Sequence, residues 1–110
     1  MNVLSVIVPC YNEEACLPAF YQELVQVAQK LEELSLEMLF IDDGSQDRTL
    51  TKLQELAQSD QRVRYLSFSR NFGKEAAIFA GLSHCTGDYV VLMDADLQHP
   101  PHVLLQMYEA

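Results

Sequence analysis

Basic residues are scarce in this chain: Lys and Arg together number 7 against 16 Asp and Glu, a formal charge of −9 over 110 residues. So acidic a surface repels phosphate backbones and anionic lipid headgroups, which argues against nucleic acid as a partner and favours cations. Cysteine is sparse and odd in number. Cys10, Cys16 and Cys85 form no C-x-x-C pair, so a disulfide framework is not expected and a reducing cytoplasmic setting is. The histidines, His84, His99 and His102, lack a ligand spacing such as H-x-x-x-H, which argues against zinc. No run approaches the ~20 apolar residues that span a bilayer. Met1-Asn2-Val3 enters an apolar run with no basic segment before it, so no signal peptide is expected. Repeats, low-complexity tracts and linkers are also missing. What remains is ordinary globular material, 49% hydrophobic and 21% charged, sufficient for a single domain over 1–110 with one modest core.

Apolar runs alternate with helical patterns along the chain. Val3 to Val8 is short, β-branched and nearly all apolar, as a buried parallel strand is, and Pro9 is expected to end it. Asn12, followed by Glu13 and Glu14, is a candidate helix N-cap. Leu17, Phe20, Tyr21, Leu24, Val27, Ala28 and Leu31 then recur at helical spacing, predicting an amphipathic helix of about five turns. Leu36 to Ile41 is a second apolar strand. Ser45 or Asp47 can cap the next helix, whose apolar face is Leu50, Leu53, Leu56 and Ala57. A third strand is expected over Val63 to Phe68, a third helix over Gly73 to His84 and a fourth strand over Asp88 to Met93. Pro100-Pro101 opens a last helical stretch. Such alternation implies an α/β fold: a parallel sheet with right-handed crossovers and helices on both faces, three layers in all.

Ligands of these sheets bind beyond the carboxyl ends of the strands, and there the unusual residues collect. Pro9-Cys10-Tyr11-Asn12-Glu13 follows the first strand, Asp42-Asp43-Gly44-Ser45 the second, Ser69-Arg70-Asn71 the third and Asp94-Ala95-Asp96 the fourth. If the chain stays extended, Asp94 and Asp96 point the same way with Cα atoms about 6.5 Å apart. That pair is either a solvated acidic turn or a seat for a hard divalent ion whose other ligands are water and phosphate, with Gln98 and His99 close by. Asp42-Asp43-Gly44-Ser45 is either a turn built on its own side chains or a reader of a ribose hydroxyl or base N–H. Arg70 and Lys74 put two cations at a helix start, where the macrodipole disfavours them. They are either solvated, with Glu75 as a neighbour, or balanced by anionic phosphates docked at that helix end.

Four segments taken together resemble the family-2 glycosyltransferases of the GT-A, Rossmann-like fold. They are Val8-Pro9-Cys10-Tyr11-Asn12-Glu13-Glu14, Ile41-Asp42-Asp43-Gly44-Ser45-Gln46-Asp47, Ser69-Arg70-Asn71-Phe72-Gly73-Lys74-Glu75 and Met93-Asp94-Ala95-Asp96-Leu97-Gln98-His99-Pro100. The branch they look like includes dolichyl-phosphate mannosyltransferases and bactoprenol glucosyltransferases. The resemblance implies a UDP- or GDP-linked sugar donor, a Mg²⁺ or Mn²⁺ ion, and transfer with inversion to a polyprenyl phosphate. It implies that Pro9, Tyr11 and Glu13 line the nucleoside pocket and that Asp42 or Asp43 reads the base. Asp94 sits on the nucleotide and metal side, with Asp96 and Gln98 as further metal-segment residues, and Arg70 and Lys74 lie near the phosphates.

In that family the general base and acceptor site lie further along than Ala110, and branch members often carry membrane helices there. The expectation is therefore a truncated, N-terminal donor-binding half of a larger enzyme. By itself it would be inactive; the full-length protein would work at the cytoplasmic face of a membrane. An uncovered apolar surface would favour homo-oligomers. Two other classes compete: a non-catalytic sugar-nucleotide-binding or interaction module, and a phosphorelay receiver domain. A receiver wants its acid pair after the first strand, where this chain has Pro9-Cys10.

Overall fold

The computed structural model describes residues 2–31 and 33–95. Four strands and three helices alternate: β1 (Asn2–Cys10), α1 (Leu17–Lys30), β2 (Leu34–Asp42), α2 (Thr49–Ser59), β3 (Val63–Ser67), α3 (Lys74–His84) and β4 (Tyr89–Leu92). The helical stretch expected from Pro100 lies outside the described residues. All strand pairs are parallel, in the order β3-β2-β1-β4. The long central pair runs from Asn2 opposite Leu34 to Cys10 opposite Asp42, so both strands finish at the same rim.

Successive residues of a strand face opposite sides of the sheet, and here each side has its own core. Val6, Val8, Met38 and Phe40 pack with Phe20, Leu24, Val27 and Leu53 of α1 and α2. Ile7, Leu39 and Ile41 pack with Ala77 of α3 on the other side. Phe20 meets Phe40 edge to face with centroids 6.3 Å apart. On the α3 side, Phe79, Leu82, Val90 and Leu92 remain exposed, the apolar surface that the sequence leads one to expect.

Three local expectations need correction. Pro9 does not end β1, which continues to Cys10. Odd-numbered residues of β1 face β4, as the Met93 N–H to Ile7 carbonyl bond shows. The donor that Pro9 lacks is thus directed past Leu92, the last paired residue of β4, where no ladder bond is lost. Asn12 does not cap α1. That helix begins at Leu17 behind Cys16, with Pro18 in its first turn, and its 14 residues make about four turns rather than five. Neither Ser45 nor Asp47 is the N-cap residue of α2, which is Arg48. Asp47 nonetheless accepts the Thr49 N–H at 2.9 Å from one position further out.

Candidate functional site

Strand order fixes where a crevice can open. The chain moves outward from β1 to β2 to β3, then returns to the far side of β1 as β4. The reversal separates the carboxyl ends of β1 and β4, the point at which ligands of open α/β sheets bind. A cleft of about 220 Å³ lies there, lined by Pro9, Tyr11, Glu13, Asp43, Lys74 and Asp94, with Cys10 at its base. A neighbouring cleft of about 300 Å³ is lined by residues that include Tyr11, Asp42, Ser45, Arg70 and Asn71. Tyr11 is the shared wall.

Hydrogen bonds between loops shape this rim. The Asn12 N–H donates to Ser45 Oγ (2.9 Å), and the Gln46 N–H donates back to Asn12 Oδ1 (2.8 Å). Asn12 holds φ 54°, a left-handed value that asparagine tolerates better than most residues. The Glu13 N–H donates to Thr49 Oγ1 (2.9 Å), and the Glu14 N–H to Asp47 Oδ2 (3.2 Å). Burial pushes the Asp47 carboxyl up, but hydrogen bonds from the Thr49 hydroxyl, the Thr49 N–H and the Glu14 N–H outweigh it and hold the pKa below the usual value. The segment carrying Tyr11 and Glu13 is thereby tied to the segment that follows β2.

Asp42 and Asp43 are both buried and do different things. Asp42 shares the parity of Met38 and Phe40, on the α1–α2 side. It accepts the Ser45 N–H (3.1 Å) and the Ser67 hydroxyl (3.3 Å). Asp43 shares the parity of Leu39 and Ile41, on the α3 side. Its carboxylate accepts the N–H groups of Phe72 (2.8 Å) and Gly73 (3.1 Å) and the side-chain amide of Asn71 (3.2 Å). Asp43 is thus an anion that the chain itself supplies just before α3. Charge-assisted bonds from the amides of the segment that leads into α3 make burial of this carboxylate tolerable. Gly44 lets the two segments meet: its φ is +73°, and a Cβ there would lie 2.2 Å from the Arg70 carbonyl carbon.

The cations are divided between the clefts. Lys74, the first residue of α3, forms an ion pair with Asp94 at 2.9 Å. Arg70 instead lies over the Phe72 ring, 4.3 Å from its centroid, and Phe72 meets Phe68 edge to face. Cys10 reports on the field. Its thiol pKa is pushed far up, first by burial and then by the negative charges of Glu13, Asp42, Asp47 and Asp94. It stays protonated and is no nucleophile. In the cleft lining the carboxylates Glu13, Asp43 and Asp94 outnumber the single cation Lys74.

A sequence model of the family described as "Glycosyl transferase family 2" matches residues 5–110. The chain belongs to this family. It is 47% identical over 106 residues to a bactoprenol glucosyl transferase of Shigella phage SfX, which covers 96% of this chain and 34% of that protein. The chain thus spans about a third of the length of that curated relative. Its fold matches a mannosyltransferase of Pyrobaculum calidifontis solved with GDP-Man and Mn²⁺, at TM-score 0.73 and 27% identity, over 84% of this chain and 27% of that one. It also matches S. aureus TarS 1–349 solved with UDP-GlcNAc, at TM-score 0.77 and 24% identity, over 99% and 30%. The parallel sheet with helices on both faces is therefore the GT-A α/β fold.

In this family-2 chain, the structure brings Pro9, Tyr11, Glu13, Asp43, Lys74 and Asp94 into one cleft and places Asp42 and Arg70 in the adjoining one. Asp96 and Gln98 lie outside the described residues. No cluster of three or more metal-binding side chains occurs among the described residues. The donor chemistry still fits a hard divalent ion: Asp94 offers carboxylate oxygen, is 24% exposed, and already attracts the cation Lys74. Sequence reasoning missed the work of Asn71, Ser45, Asp47 and Thr49 in tying the rim segments together, although Ser45 and Asn71 also line the adjoining cleft. Their partners lie about thirty residues away, beyond any local pattern.

Proposed function

We propose that this chain is the donor-binding part of a glycosyltransferase that moves a sugar from a UDP- or GDP-linked donor to a polyprenyl phosphate, with inversion. The observation that carries this reading is the cleft at the β1/β4 reversal, where Lys74 and Asp94 face Tyr11 and Glu13. The relative named as a bactoprenol glucosyl transferase supports the acceptor class. The mannosyltransferase solved with GDP-Man and Mn²⁺ supports the donor class and a divalent ion.

In this reading Pro9, Tyr11 and Glu13 border the nucleoside, and Asp42 or Asp43 recognises the base. Asp94 would hold Mg²⁺ or Mn²⁺ together with Asp96 and Gln98. When bound, that ion neutralises charge on the departing diphosphate and so assists loss of the leaving group. Arg70 and Lys74 stand ready for phosphate oxygens. Inversion requires the acceptor to attack from the face opposite the diphosphate, so the base belongs on the far side of the sugar. No residue within 1–110 is assigned that role, and the chain alone is expected to bind donor without turnover. Among the described residues no helix is long and apolar enough to cross a membrane. A polyprenyl acceptor would place the work at the cytoplasmic membrane face, with further segments making the membrane contact.

Calorimetry with UDP and GDP, with and without Mn²⁺, tests the reading. Metal and nucleotide should favour one another by about 1–3 kcal/mol, reciprocally. In the longer enzyme, Asp96→Asn should lower turnover by about a hundredfold or more while leaving folding intact. Equal affinity with and without Mn²⁺ for both nucleotides, or full activity of the Asp96 variant, would defeat the metal assignment.

A further inference from the structure

Lys74 occupies an awkward place for a cation. It is the first residue of α3, where the positive end of the helix dipole repels an ammonium group. The backbone there has little freedom, because Asp43 grips the Phe72 and Gly73 amides and Gly73 enters the helix at φ +103°. The side chain is the mobile part: it is 61% exposed, yet its ammonium sits 2.9 Å from Asp94 Oδ1. Asp94 is positioned from the opposite direction, since Met93 donates its N–H to the Ile7 carbonyl and fixes the end of β4. Two rigid elements thus present one movable cation to one carboxylate, inside the cleft described above.

We infer that Lys74 is a resident counter-cation, which holds the Asp94 carboxylate in the donor-free protein and passes to the diphosphate when a metal–nucleotide complex enters. The inference rests on the donor-binding reading above and adds a regulatory role for a residue that the reading treats as a phosphate contact. One ammonium cannot serve Asp94 and a diphosphate fully at once. While Lys74 neutralises Asp94, a bare divalent ion meets a competitor and binds weakly. Diphosphate oxygens draw Lys74 away and expose the carboxylate to the ion, so metal and nucleotide each remove an obstacle to the other. The protein would then resist loading with metal alone.

Replacement of Lys74 separates this from a simple phosphate contact. With Mn²⁺ alone, followed by loss of the free-ion electron paramagnetic resonance signal, Lys74→Met should bind about three- to fivefold more tightly than the unaltered protein, the scale of one exposed ion pair. Without metal, UDP or GDP should bind it several-fold more weakly by calorimetry. Lys74→Arg, which keeps a cation opposite Asp94, should retain the weak Mn²⁺ binding of the unaltered protein. Circular dichroism checks that both variants fold, as expected for an exposed side chain. If the unaltered protein couples Mn²⁺ to nucleotide but Lys74→Met binds Mn²⁺ alone equally or less well, the counter-cation role is wrong and the donor reading stands. If the unaltered protein binds neither Mn²⁺ nor nucleotide, both fall.

Discussion

Glu37→Gln tests the energetics of the fold at a site remote from the cleft. Glu37 lies in mid-β2 opposite Ser5 and is buried, an unusual position for a carboxylate in a central strand. It accepts hydrogen bonds from the Ser5 hydroxyl (2.8 Å), the Thr86 N–H (3.0 Å), the Thr86 hydroxyl (2.7 Å) and the Arg64 guanidinium (3.0 Å). Burial alone pushes its pKa up, but the bonds from Thr86, Ser5 and Arg64 more than reverse that and lower it from 4.5 to about 2. At roughly 1.4 kcal/mol per unit, the charged form gains on the order of 3 kcal/mol in the folded state. Because the folded pKa lies below the unfolded one, that stability is complete well above pH 4.5 and is lost as the pH falls toward 2. Between pH 7 and pH 3 the loss is about 2 kcal/mol by the same relation.

Other carboxylates titrate over the same range, Asp60 among them, its pKa held at about 2 chiefly by hydrogen bonds from Arg62. The informative quantity is therefore a difference of differences. Urea unfolding of the unaltered protein and of Glu37→Gln should be followed at pH 7 and at pH 3. The variant should be less stable at pH 7 by about 2–4 kcal/mol, since an amide cannot accept all four donors. That deficit should shrink by about 2 kcal/mol at pH 3, where the unaltered side chain starts to pay for its charge. A deficit that does not change with pH would mean that the carboxylate is not the stabilising species.

Two further perturbations probe the rim. Gly44→Ala should cost about 1–2 kcal/mol for the left-handed backbone alone, and more because the new methyl meets the Arg70 backbone, which no side-chain rotation can relieve; a urea midpoint equal to that of the unaltered protein would show that the two segments do not meet. Asp43→Asn should destabilise the protein by about 1–3 kcal/mol, because a neutral amide replaces charge-assisted bonds and turns an N–H toward other donors. Amide hydrogen exchange at Phe72 and Gly73 should speed up in that variant, and unchanged exchange there would mean that Asp43 does not hold the segment leading into α3.

The sheet was legible because parallel strands covered on both faces must be apolar along their whole length, and Val3 to Val8 and Leu36 to Ile41 are nearly so. Glu37 shows the limit of that reading. It sits inside the second run as an apparent exception, and nothing near it in sequence reveals Thr86, 49 residues away, as its donor. Asn12 failed as a cap for a similar reason. An asparagine before two glutamates is a sound local signal, but the Ser45 and Gln46 segment offers a reciprocal pair of bonds that holds the loop short of a helix until Leu17.

The site was legible as a set of strand ends but not as a set of partners, and strand parity explains the difference. Asp43 and Asp94 each continue the alternation that puts Leu39, Ile41 and Leu92 on the α3 side, while Asp42 continues the opposite one. Two acids from non-adjacent strands are thus aimed at the same helix end. Asp43 takes the two backbone amides that precede it and Asp94 takes its first side chain. Parity can be counted in the sequence. Which helix covers which face cannot, because that follows from the return of β4 to the far side of β1. Once this return is known, the apparent conflict of a lysine at a helix start resolves without an added ligand: α3 begins beside two carboxylates, one buried and held by amide donors, the other 24% exposed in the cleft and paired with Lys74. The second is the more exposed of the two, which is why Asp94 rather than Asp43 is proposed as the residue that meets the metal.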